Sequence, residues 1–113
     1  MGSLNGFLEK TISLESRSFS LKIQKFENGY FVSISEASDK LGSLVVSLAS
    51  GPTPITTTVI PSKTDSLFLK LTAERISSQT RGIAIVSAFI PNELGADTAK
   101  VLMAEIIEMI QVD

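Results

Sequence analysis

The chain has 113 residues, 43% of them hydrophobic and 19% charged, with ten basic and twelve acidic side chains and a formal net charge of -2. That length suits one domain with its own core, and that composition excludes a charge-rich disordered chain. A sequence pI near 5.1 with no dense basic run argues against nucleic-acid binding, and the lack of cysteine rules out a disulfide framework.

No stretch is apolar for the length a membrane helix needs; the most apolar run, Gly82 to Pro91, is about half of it. The opening Met1-Gly2-Ser3-Leu4-Asn5-Gly6 has neither a basic region nor an apolar core, so it does not read as a signal peptide. Gly2 sits where a myristoylation site would place it, but the sixth position carries Gly6 rather than Ser or Thr. No Asn lies in a glycosylation sequon. The expectation is one soluble domain over residues 1–113, with 1–7 flexible, located in the cytoplasm and secondarily in the nucleus.

In chain order, Lys10 to Ser16 alternates, with Ile12 and Leu14 on one face, and predicts a first strand. Phe19, Leu21 and Ile23 alternate with Ser20, Lys22 and Gln24, the pattern of a strand with one face in the core and one in water. Asn28-Gly29 predicts the hairpin turn, since both residues tolerate positive φ. The return strand, Tyr30 to Ser35, puts Tyr30, Val32 and Ile34 on one face. Ser38 to Gly42 reads as a turn and Leu44 to Leu48 as a strand. Ser50-Gly51-Pro52-Thr53-Pro54 is a loop whose prolines resist regular pairing. Ile55 to Ile60, rich in Thr and Val, predicts a strand that Pro61 stops.

Thr64 or Asp65 can cap a helix running to about Gln79, with Leu67, Phe68, Leu71, Thr72 and Ile76 inward and Lys70, Glu74 and Ser77 wet. Gly82 stands where a helix C-terminus prefers glycine. Gly82 to Ile90 is apolar on both faces, Ile83 and Ile85 on one and Ala84, Val86 and Ala88 on the other, which predicts a central strand covered on both sides. The last helix spans about Ala96 to Gln111. Asp97, Lys100, Glu105, Glu108 and Gln111 share its polar side; Ala99, Leu102, Met103, Ile106, Met109 and Ile110 share the other. With Ile107 the apolar arc covers about half the helix, and Val101 projects within the polar side, an excess that points to a partner. The fold class expected is α+β: an antiparallel, strand-rich sandwich of about six strands, one helix before the last strand and one at the C-terminus.

Chemistry is constrained by what is missing. Without histidine or cysteine there is no Cys/His zinc site, no Ser-His-Asp triad and no thiol chemistry within this chain. No GxGxxG or GK[ST] motif occurs. Glu105 and Glu108 lie one turn apart, but a solvated face near Lys100 is the plainer reading. Glu15 and Arg17 read as a surface ion pair, and Ser62-Lys63 as a loop pair rather than a dyad. The single tyrosine, Tyr30, reads as a core-edge residue and the six Phe as core filling; Met103 and Met109 suit the core at their helical spacing. Catalytic, cofactor-binding and metal residues are therefore expected to be none. The candidate partner-binding residues are Ser50, Gly51, Pro52, Thr53 and Pro54 of the loop, with Val101 and Ile107 of the last helix.

A run of strands followed by helix, strand and helix resembles the small proteasome assembly chaperones. The local text that carries the resemblance is Lys40-Leu41-Gly42-Ser43-Leu44-Val45, Thr56-Thr57-Thr58-Val59-Ile60 before a helix, Ser77-Ser78-Gln79 leading into Ile83-Ala84-Ile85-Val86-Ser87, and Glu105-Ile106-Ile107-Glu108-Met109-Ile110-Gln111-Val112. It is most similar to the third member, with the fourth as runner-up, over about Leu8 to Val112. The resemblance implies a non-catalytic chaperone without cofactors that dimerises, with itself or a second assembly chaperone, and assists assembly of the 20S proteasome α-ring by binding α-subunits. A different dimerisation or scaffold module, roadblock- or longin-like, is the alternative; roadblock modules usually open with a helix, and this chain opens with strands.

Overall fold

The structure, a computed structural model, describes residues 6–112. Most of the stretch expected to be flexible, residues 1–5, lies outside the described residues; Phe7 already begins the first strand. The elements follow as β1 (Phe7–Leu14), β2 (Arg17–Phe26), β3 (Gly29–Glu36), β4 (Ser43–Leu48), β5 (Ile55–Ile60), α1 (Ser66–Thr80), β6 (Ile83–Phe89) and α2 (Ala96–Val112). The α+β class, the six strands and the two helix positions are those the sequence predicts.

The strands form one sheet in the order β1-β2-β3-β6-β4-β5. Every neighbouring pair is antiparallel except β3 with β6, which is parallel. The chain leaves β3, makes the β4–β5 hairpin, crosses through α1 and returns to insert β6 between β3 and β4. A parallel pair needs such a long crossover, and here the helix supplies it. The layer opposite the sheet is therefore helical: α1 packs over β6, β4 and β5, while α2 reaches β1.

Alternation along the strands builds the core under these helices. Phe19, Leu21 and Ile23 of β2, Tyr30, Val32 and Ile34 of β3, Ala84, Val86 and Ala88 of β6 and Val45 of β4 are all buried. They join Phe68, Leu69, Ala73 and Ile76 of α1 and Leu102, Ile106, Ile107 and Ile110 of α2 in one cluster. Each large apolar side chain taken out of water contributes about 1.5–3 kcal/mol.

The structure corrects several sequence expectations. The β2–β3 turn is centred on Glu27 and Asn28, because Phe26 pairs with Gly29. Neither Asn28 nor Gly29 has positive φ. Gly29 is required for another reason: a Cβ there would lie 2.1 Å from the carbonyl oxygen of Ile83. Gly82 is likewise set by close approach, its Cβ position falling 2.3 Å from the Asn28 carbonyl, while the left-handed residue after α1 is Arg81 (φ 55). Asp65 occupies the N-cap of α1, yet makes no side-chain cap bond; its carboxylate instead accepts from the Leu94 amide at 3.3 Å.

Helix α1 is also rotated from the expected setting. Leu67 and Leu71 are exposed, and Leu69, Ala73 and Ser77 are buried in their place. Hydroxyl bonding explains this. Ser47 Oγ meets Ser77 Oγ at 2.9 Å and Thr56 Oγ1 at 3.0 Å, and Thr56 Oγ1 donates to Glu74 Oε2 at 2.9 Å. A buried polar network of this kind is worth its place only when its members are satisfied, and so Ser77 turns inward. Two phenylalanines expected in the core, Phe7 and Phe26, are exposed.

Candidate protein-binding surfaces

Both helices lie on one face of the sheet, and among the described residues the other face has no helix. Its chemistry changes across the sheet. Over β1 and β2 it carries Glu9, Thr11, Ser13, Ser18, Ser20, Lys22 and Gln24, a solvated set fixed by the pairing of the two strands. Over β3, β6, β4 and β5 it turns apolar. Register aligns the side chains in rows: Phe31 beside Ile85, Val46 and Thr57, and Ile83 beside Leu48 and Ile55. Ile83, Ile85 and Val46 keep intermediate exposure at the middle of the sheet, and Leu48 and Ile55 are exposed. The expected cover on both faces of β6 is thus present on one face only among the described residues. A strand reads apolar on both faces when both are covered; the helices cover one face of β6, and the other carries apolar side chains without a helix over them.

One end of this face is closed by the β3–β4 connection. Ser35 Oγ donates to the Lys40 carbonyl at 3.0 Å, and the Gly42 amide donates to Ser87 Oγ at 3.3 Å. The Lys40 ammonium sits 4.9 Å from the centre of the Phe89 ring, and Lys22 pairs with Asp39. The bond to Asp39 raises the Lys22 pKa above its ordinary value. These contacts leave the Ile83–Leu48–Ile55 end as the open one.

The candidate loop borders that open end. Ser50, Gly51, Pro52, Thr53 and Pro54 join Leu48 to Ile55, and the Ala49 amide is held by the Gly82 carbonyl at 3.1 Å. The two helix candidates lie on the opposite side of the molecule. Val101 is 37% exposed, whereas Ile107 is 6% exposed. Ile107 lines a groove of about 780 Å³ between the helices with Leu67, Leu71, Arg75, Met103 and Glu108. The structure therefore brings five of the seven candidates to the bare half-sheet and separates the other two from it. Sequence reasoning missed Phe31, Leu44, Val46 and Leu48 as surface residues, although the doubly apolar pattern of β6 signalled that the face beside them needed cover.

The charged groups hold the frame. Arg17, expected beside Glu15, makes a bidentate pair with Glu36: Nη2 to Oε1 at 2.7 Å and Nε to Oε2 at 2.8 Å. Its remaining donors reach the Asn92 and Glu93 carbonyls at 2.8 and 2.9 Å. The guanidinium also lies 5.2 Å from the Phe19 ring centre. Hydrogen bonding to Arg17 holds the Glu36 carboxyl below its ordinary range, and the same bond raises Arg17. With the Asp65–Leu94 contact, this clamps the β6–α2 connection to the sheet. Glu105 pairs with Lys10 of β1 at 2.5 Å, which raises the lysine pKa. The Glu105/Glu108 pair is thus half engaged in tying α2 to the sheet edge. Ser62 Oγ donates to the Thr64 carbonyl rather than facing Lys63.

No protein-family model matches the chain, and no curated protein matches it in sequence. Among solved structures it is similar to a chain of a novel chaperone complex for yeast 20S proteasome assembly, at 10% identity and a TM-score of 0.59. The match covers 94% of this chain and 90% of that one. At that identity the likeness is one of fold, and it extends over nearly the whole chain.

Proposed function

We propose that this chain is a non-catalytic assembly chaperone that works in the cytoplasm, binds proteasome α-subunits as a dimer and assists assembly of the 20S α-ring. The observation that carries the proposal is the bare apolar half-sheet over β3, β6, β4 and β5, bordered by the Ser50–Pro54 loop. A central strand with one naked apolar face is a surface for another protein. Three further points support the reading: the likeness in fold to a chain of a proteasome assembly complex, the local text resembling that family, and a chain without histidine or cysteine.

The test is capture of α-subunits from a lysate by the tagged protein, compared with a Val46→Asp variant. The expected result is enrichment of α-subunits by the parent chain and loss of that enrichment in the variant, with folding retained. Enrichment of coat or GTPase-regulator subunits instead would replace the proposal with a trafficking scaffold.

A further inference from the structure

We propose that the groove between α1 and α2 is a second docking site, one that takes an acidic amphipathic helix of a partner protein. It lies on the side of the molecule away from the bare half-sheet and does not depend on what that face binds.

The groove exists because α1 carries more apolar surface than the sheet covers. Leu69, Ala73 and Ile76 are buried in the core beneath the helix. The Ser47–Ser77 bond fixes that setting, and it leaves Leu67 and Leu71 outside, 66% and 45% exposed. Both leucines line the groove of about 780 Å³, and α2 supplies Met103 and Ile107 to it. The two helices run in the same direction. A small cavity at one end joins Leu67 to Ala96 and Ala99, and another at the far end joins Thr80 to Ile110. A single exposed leucine on a surface is ordinary. Two of them one turn apart, lining an apolar trough between helices, form a contact surface.

The walls select the occupant. Within a helix, amides and carbonyls are taken up by the helix's own ladder, so the trough offers an incoming chain no backbone bonds. An extended segment would press unpaired backbone groups against apolar walls, which costs free energy. A helix arrives with its backbone already satisfied and presents apolar side chains at i, i+3, i+4 and i+7. The rims set its charge. Arg75 of α1 and Lys100 of α2 line the groove from opposite helices, exposed and without an ion pair among the described residues. The two acids of the groove, Glu105 and Glu108, already act on one cation, Lys10: Glu105 bonds its ammonium, and Glu108 helps to raise the lysine pKa. The unanswered charge is therefore positive on both rims. Carboxylates flanking the apolar stripe of the incoming helix complement it.

The probe is a labelled synthetic helix of about four turns, with leucines at those spacings and glutamates beside them. One control replaces the glutamates with lysines, and another places a proline at the centre to break the helix. Fluorescence anisotropy should show saturable binding of the glutamate peptide to the full chain, weakening as salt is raised. Both controls should bind about tenfold more weakly or worse. Leu71→Glu should lower affinity for the glutamate peptide by about tenfold or more while the protein still melts cooperatively. Arg75→Glu combined with Lys100→Glu should reverse the preference toward the lysine peptide. Val46→Asp, on the opposite face, should change nothing. No saturable binding, equal binding of the three peptides, or binding that Val46→Asp abolishes and Leu71→Glu spares overturns the proposal. So does preference for the proline peptide, which would give the groove to an extended segment. Self-association that Leu71→Glu removes would give it to a second copy and overturn the proposal as well. None of these measurements uses α-subunit capture, so the reading above stands or falls separately.

Discussion

Adjacent valines on β4 test the two-sided reading of the sheet. Val45 is 2% exposed and lies under the helices, whereas Val46 stands in the row with Phe31, Ile85 and Thr57 on the bare face. Val45→Ala removes two buried carbons and leaves a void, at a cost of about 2–3 kcal/mol. For 113 residues the unfolding entropy makes 1 kcal/mol worth about 4 °C in Tm, so the melt should fall by about 8–12 °C. Val46→Ala loses contact on a face still open to water, so about 1 kcal/mol and about 4 °C are expected. The aspartate pair widens the contrast. Val45→Asp buries an unpaired carboxylate, a penalty comparable with the whole stability of a small domain, about 5–15 kcal/mol, and should abolish the cooperative transition. Val46→Asp should melt cooperatively yet fail to capture α-subunits. Circular-dichroism melts beside co-purification check both halves. A folded Val45→Asp protein together with an unfolded Val46→Asp protein would reverse the sheet faces and refute the assignment.

Helix α2 gives a second contrast: Ile106→Asp should unfold the protein, since Ile106 is fully buried, while Val101→Asp should change stability by under about 0.5 kcal/mol in the same melts. If Val101→Asp nevertheless weakens partner capture, the outer side of α2 is a contact surface too. Gly29→Ala and Gly82→Ala should each cost about 1–3 kcal/mol or more by driving a methyl into a carbonyl oxygen. Gly51→Ala meets nothing within 4 Å and should be neutral to slightly stabilising in urea titration. Glu36 is held below its ordinary pKa of 4.5 by Arg17. Its pairing therefore contributes stability that is fully present above about pH 4.5 and lost as pH falls through the lowered folded-state value. Glu36→Gln should flatten the acid limb of a stability–pH curve and leave the neutral plateau lower; an unchanged acid limb would remove Glu36 from the clamp.

Much of this protein is written locally. Alternation at Phe19-Leu21-Ile23 and Tyr30-Val32-Ile34 determined both the strands and their inward faces, because successive strand side chains point to opposite sides whatever the strand pairs with. The spacing of Leu102, Ile106 and Ile110 determined the seat of α2 in the same way. The doubly apolar β6 even announced that its outer face needs cover. Other features depend on groups far apart in sequence. The glycines at 29 and 82 look like turn residues, but each is demanded by a carbonyl more than fifty residues away in the chain: Gly29 by Ile83, Gly82 by Asn28. Arg17 found Glu36 rather than Glu15 because β2 and β3 bring the pair together and the β6–α2 connection offers further acceptors. Ser77 turned inward because the Ser47 hydroxyl of β4, itself bonded to Thr56 of β5, meets it there. Above all, a strand apolar on both faces, as β6 is, does not say which face a helix will cover. The crossover through α1 lands β6 between β3 and β4, α2 joins α1 on the same side of the sheet, and that tertiary arrangement left the other side apolar and without a helix among the described residues.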